Sequence, residues 1–144
     1  MWSDTLLAAE RSHLIRLAAW AVASAVVGMA LVALILVRRM KAPIVLWFAI
    51  QTLVWGSLEL IVTTWRWYGV GMRDVSAATR LDRLTWLATG LDVGLVAVGV
   101  AIAVMAWSPN RRLGAFGAGL GVVVQGLGLL VLDLGFASNL SRLV

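Results

Sequence analysis

Four apolar runs, separated by short polar stretches, organise the chain. They extend over about 14–37, 43–65, 84–107 and 113–136, each 23 or 24 residues long. At about 1.5 Å per residue, such a run forms roughly 35 Å of helix, enough to cross a hydrocarbon core of about 30 Å with some tilt. Open strands cannot satisfy their backbone in lipid. The pattern therefore predicts an all-α, integral membrane four-helix bundle, in one transmembrane domain over 1–144. The first run follows Asp4, Glu10, Arg11, His13 and Arg16. It is too long for the apolar part of a cleavable signal and is expected to remain a span.

The polar stretches read as connections. Arg38-Arg39-Met40-Lys41-Ala42-Pro43 is a tight basic turn, with Pro43 suited to a first helical turn. Ser108-Pro109-Asn110-Arg111-Arg112 is a second. The longer loop from Tyr68 to Asp74 contains Gly69 and Gly71, and Ser76 is expected to cap a helix that starts outside the membrane and runs into the third span. Residues 5–16 are expected to extend the first helix in the same way. Trp2, Trp65, Trp67, Tyr68, Trp86 and Trp107 fall near span ends, as an interfacial aromatic belt would.

The two halves look like copies. The segment from Gln51 to Leu60 aligns with that from Gln125 to Leu134, matching the glutamines, three leucines and the acidic position Glu59/Asp133. The first and third spans align more weakly, pairing Gly28 with Gly99 and Val22 with Val93. The expectation is two parallel helical-hairpin repeats, over about 5–68 and 76–140.

Composition agrees with a membrane setting: 62% of residues are hydrophobic and 13% charged, against about 45–50% and 25% in soluble domains. The absence of cysteine excludes disulfides, iron–sulfur clusters and thiolate chemistry. The formal charge of +5 arises from clusters beside the apolar runs, which is topology signalling and not a nucleic-acid surface. Arginine-rich, Ala/Val/Gly/Leu-rich usage suits a GC-rich bacterial genome. The expected location is a bacterial inner membrane, multi-pass, with both termini on one side. The basic residues packed into the acid-free short turns place those turns in the cytoplasm and the termini outside.

Against this background three acids stand out, because Glu59, Asp92 and Asp133 lie inside the apolar runs. A carboxylate at mid-helix in a bilayer costs about 2.5–3.5 kcal/mol on insertion scales, so each needs a partner, water or a proton. At 100° per residue Gln51, Trp55 and Glu59 share a face, bordered by Thr52, Gly56 and Thr63. Gln125 and Asp133 repeat that eight-residue relation. Thr85, Thr89, Asp92 and Gly99 share a face of the third span, and His13, Arg16, Trp20 and Ser24 one of the first. These faces predict a polar cluster of Glu59, Asp92, Asp133, Gln51, Gln125, Arg16 and Arg83, open towards the terminal side. Such a cluster is either interhelical glue, with Arg16 or Arg83 neutralising an acid, or a proton or ligand site.

Glycines predict where helices approach. Gly114, Gly121, Gly128 and Gly135 recur every seven residues with Gly117 on the same face, and Gly90 and Gly94 lie with Ala97 and Ala101 on one side of the third span. The run Gly117-Ala-Gly-Leu-Gly121 matches a phosphate loop only by count, since no strand precedes it. Catalysis finds little support. His13 is the single histidine, no serine has a credible base within a span, and no catalytic residue, metal site or cofactor is assigned.

Leu91-Asp92-Val93-Gly94, the apolar helix after it, Gln125-Gly126 and Leu132-Asp133-Leu134 resemble an uncharacterised family of small bacterial membrane proteins, a domain of unknown function. Trp20 and the first hairpin fit that family more loosely, and Glu59 is the less typical of the paired acids. The resemblance implies a four-helix membrane protein and transfers no activity. The sequence is thus read as a non-enzymatic accessory or scaffold subunit, surrounded by lipid and packed against a membrane-protein partner or its own copies. A small proton- or ion-coupled carrier using the carboxylates is the alternative, and binding of a lipophilic pigment or quinone a further one.

Overall fold

The computed structural model describes residues 2–107 and 112–143. Among them are four helices and no strand: α1 (Trp2–Val37), α2 (Pro43–Tyr68), α3 (Val75–Trp107) and α4 (Leu113–Leu140). Each is long and apolar enough to cross a membrane. Each also continues past its apolar run on the terminal side, α1 and α3 by the greater length. The side chain of Trp2 and the turn at 108–111 lie outside the described residues.

Local chemistry sets the ends. Pro43 opens α2, where its missing N–H is no loss. After α1, Arg39 takes a left-handed φ of 49° and Met40 N–H bonds back to Ile35 O, closing the helix as glycine usually does. The cap of α3 differs from expectation. Asp74, not Ser76, holds the N-terminus: its Oδ1 accepts from Ala77 N–H at 2.7 Å and from Ser76 Oγ at 2.9 Å. Ser76 is already inside the first turn, so its hydroxyl supports the capping carboxylate.

α1 packs along α2 and α3 along α4, each as an antiparallel hairpin, and α4 lies against both α2 and α1. The backbone of α3 approaches only α4, which leaves a slot between α2 and α3. Glycines permit the closest contacts. A Cβ on Gly28 would stand 2.5 Å from Leu53 N, one on Gly56 2.6 Å from Ala25 N, one on Gly99 2.8 Å from Val123 N, and one on Gly126 3.0 Å from Val96 N. On the predicted α4 stripe, Gly117 abuts the Ile44 carbonyl, Gly114 and Gly128 are covered by Trp47 and Trp20, and Gly121 meets Gln51 Cβ at 2.7 Å. The partners of these four are therefore α2 and α1 of the same chain. Gly135, Gly90 and Gly94 depart from the expected packing: a Cβ there would meet nothing within 4 Å. Seven-residue spacing slowly rotates around a helix of 3.6 residues per turn, so the stripe leaves the interface before Gly135. Gly90 and Gly94 lie on the side of α3 away from α4.

The terminal extensions hold a small core of their own. Leu6, Ala78, Phe136 and Leu140 are buried together, with Leu14, Leu17 and Leu129 one layer further in. Fully burying a leucine is worth about 1.5–3 kcal/mol where water is the alternative.

Candidate functional site

Beneath that cap of leucines the polar residues converge. His13 on α1 is 3% exposed and places Nε2 3.1 Å from Asp133 Oδ1 on α4. The distance is that of an ion pair, but the directions are poor, and neither atom completes a hydrogen bond. Phe136, one turn along α4 from Asp133, stacks on the imidazole at 4.2 Å and 5° between planes, which fixes the ring. Asp92 on α3 and Glu59 on α2 are both near enough to Asp133 to interact with it electrostatically, and Glu59 also with Asp92 and His13. Asp92 Oδ2 is buried and finds no hydrogen-bond partner among the described residues. Glu59 accepts from Thr63 Oγ1 at 3.2 Å.

Gln125 does different work about two turns deeper. Its Oε1 accepts from Trp20 Nε1 at 3.1 Å, and its Nε2 donates to Ser24 Oγ at 3.1 Å, tying α4 to α1. This is interhelical glue in the ordinary sense. Gln51 lies apart from it, with its stem over Gly121.

The expected arginines do not enter. Arg16 and Arg83 are exposed and pair with no acid among the described residues. The arginine at the cluster is Arg66, one turn beyond Thr63 on α2 and close enough to Glu59 to interact with it. Sequence reasoning passed over Arg66, although Glu59, Thr63 and Arg66 follow i, i+4, i+7 spacing on one helical face. His13 was placed on the inward face of α1, but its role beside Asp133 depends on which turn of α4 it meets, and no single-helix pattern fixes that.

Two neighbouring clefts lie beside the cluster and share lining residues. The inner one, about 270 Å3, is lined by His13, Arg66, Leu81, Leu84, Thr85, Ala88 and Asp133. The outer one, about 480 Å3, shares Arg66 and Leu81 and adds Glu10, Trp65, Tyr68, Gly69 and Arg73. At its rim Arg73 donates two hydrogen bonds to Glu10, from Nε at 3.0 Å and from an Nη at 2.6 Å. Those bonds hold the Arg73 guanidinium above its ordinary value and clamp the α2–α3 loop to α1. Among the described residues no group of three or more His, Asp or Glu side chains has the arrangement of a metal site.

The fold and cluster define an all-α protein of four membrane-length helices with buried, partly unpaired acids. Residues 16–134 match the model of a family of unknown function, DUF6992, and the chain belongs to that family. No curated protein and no solved structure matches it.

Proposed function

We propose that the chain is a multi-pass protein of a bacterial inner membrane, built from two hairpin repeats, whose cluster of His13, Glu59, Asp92 and Asp133 exchanges protons with the terminal side. One observation carries this reading: His13 Nε2, Asp92 Oδ2 and Asp133 Oδ1 are all buried, and none completes a hydrogen bond among the described residues. Glue would satisfy such atoms, as it does at Gln125. The clefts past Arg66 supply the route, while glycine-to-backbone contacts fill the turn-side half. The site is therefore open on one side, which fits proton binding better than passage through this chain alone. The reading assigns the chain no catalytic step.

The accessory-subunit reading retains one specific support. Gly90 and Gly94 lie open on α3, beside exposed Leu87 and Leu91, where a partner helix could approach closely.

Proton release or uptake by purified protein across about pH 5–9 tests the proposal. Asp92→Asn, Asp133→Asn and His13→Gln should each flatten part of the parent's curve while the protein stays folded. Curves identical to the parent's in all three folded variants would sink it.

A further inference from the structure

The depth of the inner cleft decides what can reach it. Arg38, Arg39, Lys41 and Arg112 mark the turn-side boundary. Asp133 lies about 20 residues along α4 from there, roughly 30 Å, which is the thickness of the hydrocarbon core. Trp65 and Trp86 lie at about the same level, where aromatic side chains mark the interface. The cleft thus sits among headgroups and opens at the slot between α2 and α3, where Leu84 is half exposed.

Its charged groups are of both signs. Arg73 is committed to Glu10, but Arg66 completes no hydrogen bond among the described residues. On the same wall system stands the Asp133 carboxylate, whose Oδ1 lies 3.1 Å from His13 Nε2 without completing a hydrogen bond among the described residues, and Leu81, Leu84 and Ala88 are apolar. We propose that this cleft binds an ammonium–phosphate zwitterion, the chemistry of an ethanolamine phospholipid headgroup, with phosphate on Arg66 and ammonium on Asp133. A primary ammonium can donate to the Asp133 carboxylate, whereas a quaternary choline carries charge without a donor and a glycerol headgroup carries no cation. A volume of about 270 Å3 equals about nine waters at ~30 Å3 each, room for a phosphoethanolamine group. Acyl chains would leave past Leu84 into the bilayer. The proposal rests on the reading of the cluster as an open membrane site.

The test uses the full chain in maltoside detergent, with melting followed as short-chain dihexanoyl lipids of ethanolamine, choline and glycerol headgroup are titrated in separately. The ethanolamine lipid should stabilise the parent and bind at least about tenfold more tightly than the other two, the loss expected when a buried charged acceptor goes unpaired. Arg66→Gln and Asp133→Asn should each abolish that preference, and Arg66→Lys should keep most of it. Should Asp133→Asn fail to fold, Arg66→Gln decides alone, since the Arg66 side chain completes no hydrogen bond among the described residues. Equal shifts from all three lipids, or a preference that survives Arg66→Gln, would overturn the proposal. Free phosphoethanolamine distinguishes the source: a shift equal to the lipid's assigns the same site to a soluble zwitterion, and a far smaller one assigns it to the membrane. Proton exchange without headgroup preference overturns this inference alone; preference without proton exchange overturns only the earlier one.

Discussion

In the α1–α2 hairpin, Gly28 faces Ala49 and Leu53, and Gly56 faces Ala21 and Ala25. In the α3–α4 hairpin, Gly99 faces Gly119 and Val123, and Gly126 faces Asp92 and Val96. A shift of 71 residues carries Gly28 to Gly99, Ala21 to Asp92 and Ala25 to Val96. A shift of 70 carries Gly56 to Gly126, Ala49 to Gly119 and Leu53 to Val123. The hairpins therefore close through equivalent contacts, in a register one turn away from the one that matches Gln51 with Gln125 and Glu59 with Asp133. By contact, the counterparts of Asp92 and Asp133 are Ala21 and Thr63. The packing device is shared and the chemistry is not: the second hairpin supplies two acids where the first has a methyl and a hydroxyl, and Glu59 reaches the cluster from a different turn.

Breaking the shared device should have the largest effect. Leucine at Gly117 or Gly56 would drive a side chain into backbone of the neighbouring helix, which cannot rotate away. Each should lose at least about 3 kcal/mol, the upper end for overpacking, seen as a sharply lowered melting temperature or loss of a single elution peak. Leucine at Gly94 meets open space and should leave the isolated protein unchanged or slightly more stable through better helix propensity. Equal damage from Gly94→Leu would show that another copy or subunit covers that face of α3.

Erasing the difference between the hairpins should act in the opposite direction. The double variant Asp92→Ala, Asp133→Thr gives the second hairpin the residues of the first. It removes two buried oxygens that lack partners, each worth about 1–3 kcal/mol of desolvation. Melting should therefore rise while proton exchange is lost. A marked fall in stability would mean that the carboxylates hold the helices together, and the glue reading would replace the site.

Much of this was legible because long apolar runs bounded by breakers constrain secondary structure so strongly. Run length and breakers such as Pro43 reveal four helices without any tertiary information. The inward face bearing Thr85, Thr89, Asp92 and Gly99 follows from helical periodicity alone, whereas on α1 the same periodicity groups His13, Trp20 and Ser24 with Arg16, which is exposed. Interhelical register does not follow from periodicity. A glycine at a contact and a glycine on an open surface read alike in sequence, and only the packing separates Gly117 from Gly94. The arginine assignment failed for a related reason. Arg16 and Arg83 have the right height but point outward, while Arg66 lies beyond the apolar run and looked like an ordinary boundary charge. The apparent pairing of Glu59 with Asp133 came from matching residue types, whereas the contacts follow the small residues that let backbones touch.

The smallest expected effect lies where the hairpins begin. Neither α2 nor α4 has a side-chain cap at its N-terminus, but α3 has Asp74, whose carboxylate accepts from Ala77 N–H and Ser76 Oγ. Those bonds hold Asp74 below its ordinary value of 3.8. A depressed folded value means that the cap's stabilisation is fully present above pH 3.8 and fades as pH falls through the lower folded value. Because the residue is solvent-exposed, the effect should stay local. Asp74→Ala should speed amide exchange at Ala77 and Ala78 at neutral pH and leave exchange deep in α3 and α4 untouched. As acid protonates Asp74, parent and variant should converge at those two amides. If they differ equally at neutral and strongly acidic pH, the carboxylate is not what starts α3, and the clamp of Arg73 on Glu10, one residue earlier, would be the feature that anchors the second hairpin to the first.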